Sequence, residues 1–338
     1  MKKTLIALAA VAATGAAFAQ SSVTLYGVAD VAVGKANTAA GAGLSNTIAA
    51  TANPTGLGLG NDKFQAIASS TLNNGTSRYG FRGVEDLGGG LKAGFNFEAG
   101  ISLADGSANK SGGEAFSRAA NVSLMGGFGE IRAGRSVNAS YYSVASWELT
   151  GPANYSVVAN QFNYAGAGSR DSALVMYRSP SFGGLTVDVA TVLKGNDAAA
   201  TAAGDQSKYD IAATYVAGPL AASLAYNKTT DADASWNIGG KYNFGTFTVA
   251  GSYQNVGRTN ADDKKGFTIG VSAPVGPVTL TADIARATNT ADKNTDFVLE
   301  AKYALSKRTF AYGVYMRDGA VAGGKSINAY TVGVRHNF

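Results

Sequence analysis

Arginines recurring on alternating residues are the side chains here best suited to act on a ligand. Arg78 and Arg82 oppose Tyr79 and Phe81, and Arg132 lies between Ile131 and Ala133. Arg170 shares parity with Ser172 and Leu174, against Ala173, Val175 and Tyr177. Successive side chains of a strand point to opposite faces, so each arginine falls on the face away from its apolar neighbours. Glu98 takes the equivalent place against Phe95 and Phe97. A guanidinium stays charged at any biological pH. Such groups on rigid strands therefore make a fixed positive potential, a filter for anions and not a relay for protons. Two of these charges about 6 Å apart repel by roughly 3 kcal/mol at an effective dielectric near 20, so water and carboxylates must offset them.

Reaction chemistry has little to work with. The single histidine, His336, shares parity with Val334 and Phe338 and so turns to the apolar face, a poor position for a Ser-His-acid set. With no cysteine there is neither a thiol nucleophile nor a disulfide framework, and no His or Cys cluster supplies a metal site. Asp262-Asp263 and the Asp231, Asp233 pair resemble calcium loops only loosely and read as solvated loops. Gly88-Gly89-Gly90 reads as a hairpin turn, not a phosphate-binding loop. No catalytic residue, metal or cofactor is assigned. The formal charge of +5 is accompanied by no basic cluster or aromatic-basic platform, which argues against nucleic acid as a partner.

The elements that must position the arginines are short alternating runs. About sixteen occur, from Val23–Gly34 to the final run from Ile327, joined alternately by tight Gly-rich turns and longer polar connections. No stretch beyond the first residues has eighteen consecutive apolar positions, which excludes helical membrane spans. The last run sets Tyr330, Val332, Val334 and Phe338 on one face and Thr331, Arg335 and Asn337 on the other. Its period of two reaches the final residue, so its edge must be covered. At the other end, basic Lys2-Lys3, an apolar Leu5–Ala13 and a small-x-small Ala17-Phe18-Ala19 make a secretory leader. The fold class expected is all-β: a transmembrane antiparallel barrel of about 16 strands, with short turns at the periplasm and long loops outside. Alternation alone does not separate this from a soluble sandwich. Tyr and Phe near strand ends favour the membrane.

The Leu25-Tyr26-Gly27 opening, the Arg78-Tyr79-Gly80-Phe81-Arg82-Gly83 block, the recurring Gly-rich turns and the Phe338 ending resemble Gram-negative general diffusion porins. The beta-proteobacterial branch, with its anion-selective members, is the nearest in pattern, over essentially the whole mature chain. The resemblance implies a homotrimeric, passive outer-membrane channel for small hydrophilic solutes and anions, set among outer-membrane lipid and lipopolysaccharide. It implies one barrel domain, 20–338, whose third extracellular loop, about 136–168, folds inward and narrows the pore. It places a ladder of Arg78, Arg118 and Arg170 opposite that loop, joined by Arg82 and Arg132. Glu148, the loop's single carboxylate, and Glu98 form the acidic side. Phe338 becomes the assembly signal, and 100–117 a latch onto a neighbouring subunit. Arg118 fits poorly, because Val122 and Leu124 share its parity; either a bulge intervenes or the residue faces elsewhere. The first-strand lysine of some relatives is replaced by Val28. An adhesin or surface-anchor barrel with incidental transport is the alternative.

Removal of residues 1–19 should leave Gln20 as the first residue of the membrane-extracted protein. Intact mass checks this, allowing for loss of ammonia if Gln20 cyclises, and a species retaining Met1 to Ala19 would contradict it.

Overall fold

A computed structural model describes residues 22–36, 64–67, 72–108, 115–193, 207–259, 261–289, 293–319 and 326–338. The expected leader and its expected Ala19/Gln20 boundary lie outside them, as does part of the expected intersubunit latch, 109–114. The strands are β1 (Ser22–Ala36), β2 (Gln65–Ile67), β3 (Arg78–Gly88), β4 (Leu91–Gly100), β5 (Ala119–Gly126), β6 (Gly129–Val137), β7 (Arg170–Arg178) and β8 (Leu185–Val192). They continue as β9 (Lys208–Ala217), β10 (Leu220–Thr229), β11 (Ser235–Asn243), β12 (Thr248–Val256), β13 (Lys264–Val275), β14 (Val278–Ala287), β15 (Thr295–Ala304), β16 (Thr309–Asp318) and β17 (Ile327–Asn337). Two helices, α1 (Ala139–Trp147) and α2 (Val157–Phe162), lie between β6 and β7.

From β3 to β17 each strand pairs antiparallel with the next, and β1 closes the ring. Its first half, Ser22–Val28, pairs with β3; its second half, Val28–Ala36, pairs with β17. The three-residue β2 covers Ala32–Gly34 on the edge that β3 does not reach. Sixteen strands thus form a closed barrel, with β2 as a short addition. At the seam the backbones of Gly27 and Phe338 exchange both hydrogen bonds, at 3.0 and 3.1 Å. The tight connections turn on residues with positive φ, such as Gly218 (54°) and Gly276 (60°), each set before a proline.

The hydrophobic alternation is inverted relative to a soluble protein. Val332 is 68% exposed while Thr331 is 3% exposed, and Ile238 is 55% exposed beside a fully buried Asn237. Apolar side chains coat the outside and polar ones line the inside, as a bilayer around a water-filled barrel requires. No helix among the described residues is long and apolar enough to cross a membrane; the strands are what cross it.

The connection holding α1 and α2 is folded into the barrel, as expected for the third long loop. Asn138 caps α1 by accepting from the Tyr141 N–H at 2.9 Å, and Ser156 caps α2 through the Ala159 N–H. α1 lies against β8–β11 and α2 against β12, β14 and β15. Gly239 makes room for this seating: a Cβ there would lie 2.4 Å from the Trp147 ring.

Phe338 packs its ring onto Gly27, where any Cβ would sit 2.3 Å from Cζ. Placing a charge at this seam, as in Phe338→Asp, should sharply reduce the amount of heat-modifiable barrel in the outer membrane without lowering synthesis or export. Electrophoresis of unheated against heated membrane fractions reads this, and wild-type amounts of the fast-migrating form would contradict it.

Candidate functional site

With the loop helices seated on the β8–β15 side, open space remains against the opposite wall. A cavity of about 640 Å³ lies there, bounded by the start of β1, by β3–β7 and by Tyr141 and Tyr142 of α1. Arg78, Arg82, Arg118, Arg132 and Arg170 line it, against two carboxylates, Glu98 and Glu130.

Glu98 points inward from β4 and stands between two of the arginines. Its Oε1 accepts from Arg118 Nε at 2.6 Å, and its Oε2 lies 3.4 Å from Arg78 Nε. Arg78 also donates to the Thr76 carbonyl at 3.0 Å. Arg118 sits one residue before β5, and its backbone N–H donates to the Glu98 carbonyl. That position removes the parity conflict: the residue lies in the bend entering the strand, where alternation does not govern it.

Arg170 reaches the same cavity by a different route from simple alternation. Pairing between β6 and β7 shifts register between Gly134 and Ser136, and Ala173 takes a left-handed φ of 50°. This bulge puts Asp171, and not Ser172, beneath the loop, where it meets Lys208 at 2.9 Å and accepts from Asn138. Arg170 then crosses to the Arg118 carbonyl at 2.9 Å and to Ser169 Oγ at 3.1 Å. Both acceptors are neutral, so its charge is not cancelled by either.

Farther along the wall, Arg132 is held by Glu130 at 2.8 Å, Ser136 Oγ at 3.1 Å and the Tyr142 hydroxyl at 2.9 Å. Arg82 lies over the Tyr26 ring at 5.0 Å from its centroid. Glu148 departs from its expected position facing the arginines. It is 3% exposed, accepts from the hydroxyls of Thr150 and Ser156, and is absent from the cavity lining. The loop's only carboxylate organises the loop from within, because two hydroxyls near in sequence reach it before any wall residue does.

The Gram-negative porin family matches over residues 4–323. The chain belongs to that family. Outer membrane porin protein 32 of Delftia acidovorans is 34% identical over 376 aligned positions, spanning 100% of both chains. An outer membrane porin protein of Bordetella pertussis is 29% identical, again over 100% of each. A solved structure described as the anion-selective porin from Comamonas acidovorans superposes with a TM-score of 0.72 at 28% identity, covering 94% of this chain and 100% of that one. This porin is a barrel of the outer membrane.

Two further inward arginines of the porin lie outside the expected constriction set. Arg335 of β17 donates to Asn74 Oδ1 at 2.7 Å and to Asn337 Oδ1 at 3.1 Å. Arg178 of β7 forms a two-pronged pair with Asp188 at 2.6 and 3.0 Å and stacks 3.7 Å from the Tyr142 ring centroid. Parity marks both: Arg335 alternates with Val334 and His336, and Arg178 shares the face of Leu174 and Met176. Among the described residues no group of three or more His, Cys, Asp or Glu side chains is arranged to hold a metal ion.

Proposed function

We propose that this porin is a passive diffusion channel for small hydrophilic solutes that passes anions more readily than cations. One observation carries the reading: five arginines and two carboxylates line the cavity beside the inward loop, and Arg170 bonds only neutral oxygens there. Arg78, Arg118 and Arg170 form the positive side of the constriction, Glu98 moderates the repulsion between the first two, and Arg82 and Arg132 extend the track. An anion passing the loop exchanges hydration for guanidinium donors that are already oriented. The similarity to a porin described as anion-selective supports this.

The mature chain, in this reading, begins at Gln20, sits among outer-membrane lipid and lipopolysaccharide, and assembles as a homotrimer with 100–117 reaching a neighbour. Mild-detergent electrophoresis should show a trimer-sized species that collapses to monomer on heating; monomer alone before heating would contradict the assembly.

Under a salt gradient across a planar bilayer, the reversal potential should carry the sign of anion preference. A single charge about 6 Å from the ion path contributes roughly 0.7 kcal/mol even at the dielectric of water, attractive to an anion and repulsive to a cation, so Arg170→Gln or Arg78→Gln should lower the anion-to-cation permeability ratio roughly tenfold at low salt, and less as salt screens the charge. Tyr177→Phe, on the lipid face with its hydroxyl bonded to the Phe128 carbonyl at 2.7 Å, should leave the ratio unchanged. Cation preference in the unmodified channel, or indifference to both arginine changes, would place the constriction on other residues.

A further inference from the structure

β1 carries one carboxylate, and it lies on the inward face: Asp30 is fully buried, between exposed Val31 and half-buried Ala29. A buried charge needs donors, and three arrive from elsewhere in the chain. Asp30 Oδ1 accepts from Asn73 Nδ2 at 2.9 Å and from the Tyr312 hydroxyl at 2.6 Å, and Oδ2 accepts from the Gly75 N–H at 3.0 Å. Ser77 Oγ completes the clasp, accepting from the Asp30 N–H at 2.9 Å and donating to its carbonyl at 3.1 Å.

The residues held this way, Leu72 to Ser77, come from the end of the first long connection and lie inside the barrel. Leu72 is 1% exposed and belongs to one apolar cluster with Tyr155 and Val157 of the third loop and Ile327 of β17. Asn74 joins the segment to its surroundings: Nδ2 donates to the Tyr155 hydroxyl at 2.6 Å, and its carbonyl accepts from the Asn154 N–H at 3.2 Å. Its Oδ1 accepts from Arg335 at 2.7 Å. Gly75 lies against the same guanidinium, where a Cβ would be 2.8 Å from Arg335 and 3.8 Å from Arg78.

We propose that Asp30 is a positioning residue that latches the Leu72–Ser77 segment inside the lumen, making it a second wall of the constriction beside the third loop. Through Asn74 and Gly75 the latched segment also sets where Arg335 and Arg78 stand, so one carboxylate on β1 governs both aperture and charge placement. This rests on the channel reading above. Charge-assisted bonds are the strong ones, and replacing the carboxylate by an amide leaves a donor facing donors.

The test is single-channel recording of purified Asp30→Asn in planar bilayers. Weakening at least one charge-assisted hydrogen bond should raise the frequency of steps to a higher-conductance, less anion-selective level roughly tenfold or more. Tyr312→Phe, which removes one donor and keeps the ring, should do the same and carries the test if Asp30→Asn yields no barrel. The chain has no cysteine, so Asn74→Cys with Asn154→Cys introduces a single pair at a place where the backbones already touch. Oxidising that pair in the Tyr312→Phe background should abolish the added steps, and reduction should restore them. Variants that conduct at one wild-type level, or steps that persist through a verified cross-link, would overturn the latch. Absence of any current from the unmodified protein would instead overturn the channel reading, and the latch with it.

Discussion

Hydrocarbon offers no partner to a backbone N–H or C=O, and the architecture of this porin follows from that constraint. Each strand must be paired on both edges, so the sheet must close on itself. β1 carries the burden of closure, because it divides its length between β3 and β17 while β2 covers part of the remaining edge. The last backbone pair of the seam, Gly27 with Phe338, requires a residue without Cβ on one side and fills the space with a ring on the other. Sixteen strands enclose more width than wall side chains alone fill. What narrows the lumen must therefore come from the loops.

Where the loops attach decides which charges face water. α1 sits on its wall through Ser140, which donates twice to Asp210, and through Ser143 and Trp147, which meet Ser223. Tyr155 donates to Glu300, which also pairs with Lys302 at 3.0 Å, and Lys302 reaches the Thr150 carbonyl. Asp210 and Glu300 of that half of the barrel thus lie under the loop, engaged in holding it. The arginines of β3–β7 and the bend before β5 stand on the opposite side, around the open cavity. The positive character of that cavity is a result of which wall the loop covers. The formal charge of the chain is too small to impose it.

Alternation makes the strands and most inward residues legible in the sequence: Arg78, Arg82, Arg132 and Glu98 stand on the faces that parity gives them. Irregular backbone hides the rest. A bulge at Ala173 reverses parity between Leu174 and Arg170, and a bend frees Arg118 from its strand. Parity says nothing about a loop residue such as Glu148, whose carboxylate is claimed by the loop's own hydroxyls. Arg335 and Arg178 obey alternation, and their acceptors Asn337 and Asp188 lie close by in the sequence, but the bond from Arg335 to Asn74 joins residues far apart along the chain. The inward Leu72–Ser77 segment carries no signal at all: its contacts with Asp30, Tyr155 and Tyr312 span tens to hundreds of residues.

Arginines can crowd a narrow passage only if their repulsion is shared out. Three guanidinium groups meet near Glu98, and one carboxylate between Arg78 and Arg118 offsets part of a repulsion worth roughly 3 kcal/mol per close pair. Arg170 is fixed by a backbone carbonyl instead, which orients its fork without neutralising it. Lysine would fail in this role, since a flexible ammonium presents a point charge that no carbonyl can hold in one direction. At physiological ionic strength the field of such a cluster reaches about 8 Å, comparable to the width of a narrow aperture. In the anion-preferring channel proposed above, ions passing within that reach would be sorted and those farther away would not, so aperture and selectivity would be one property: whatever keeps the lumen narrow would also keep the arginines effective.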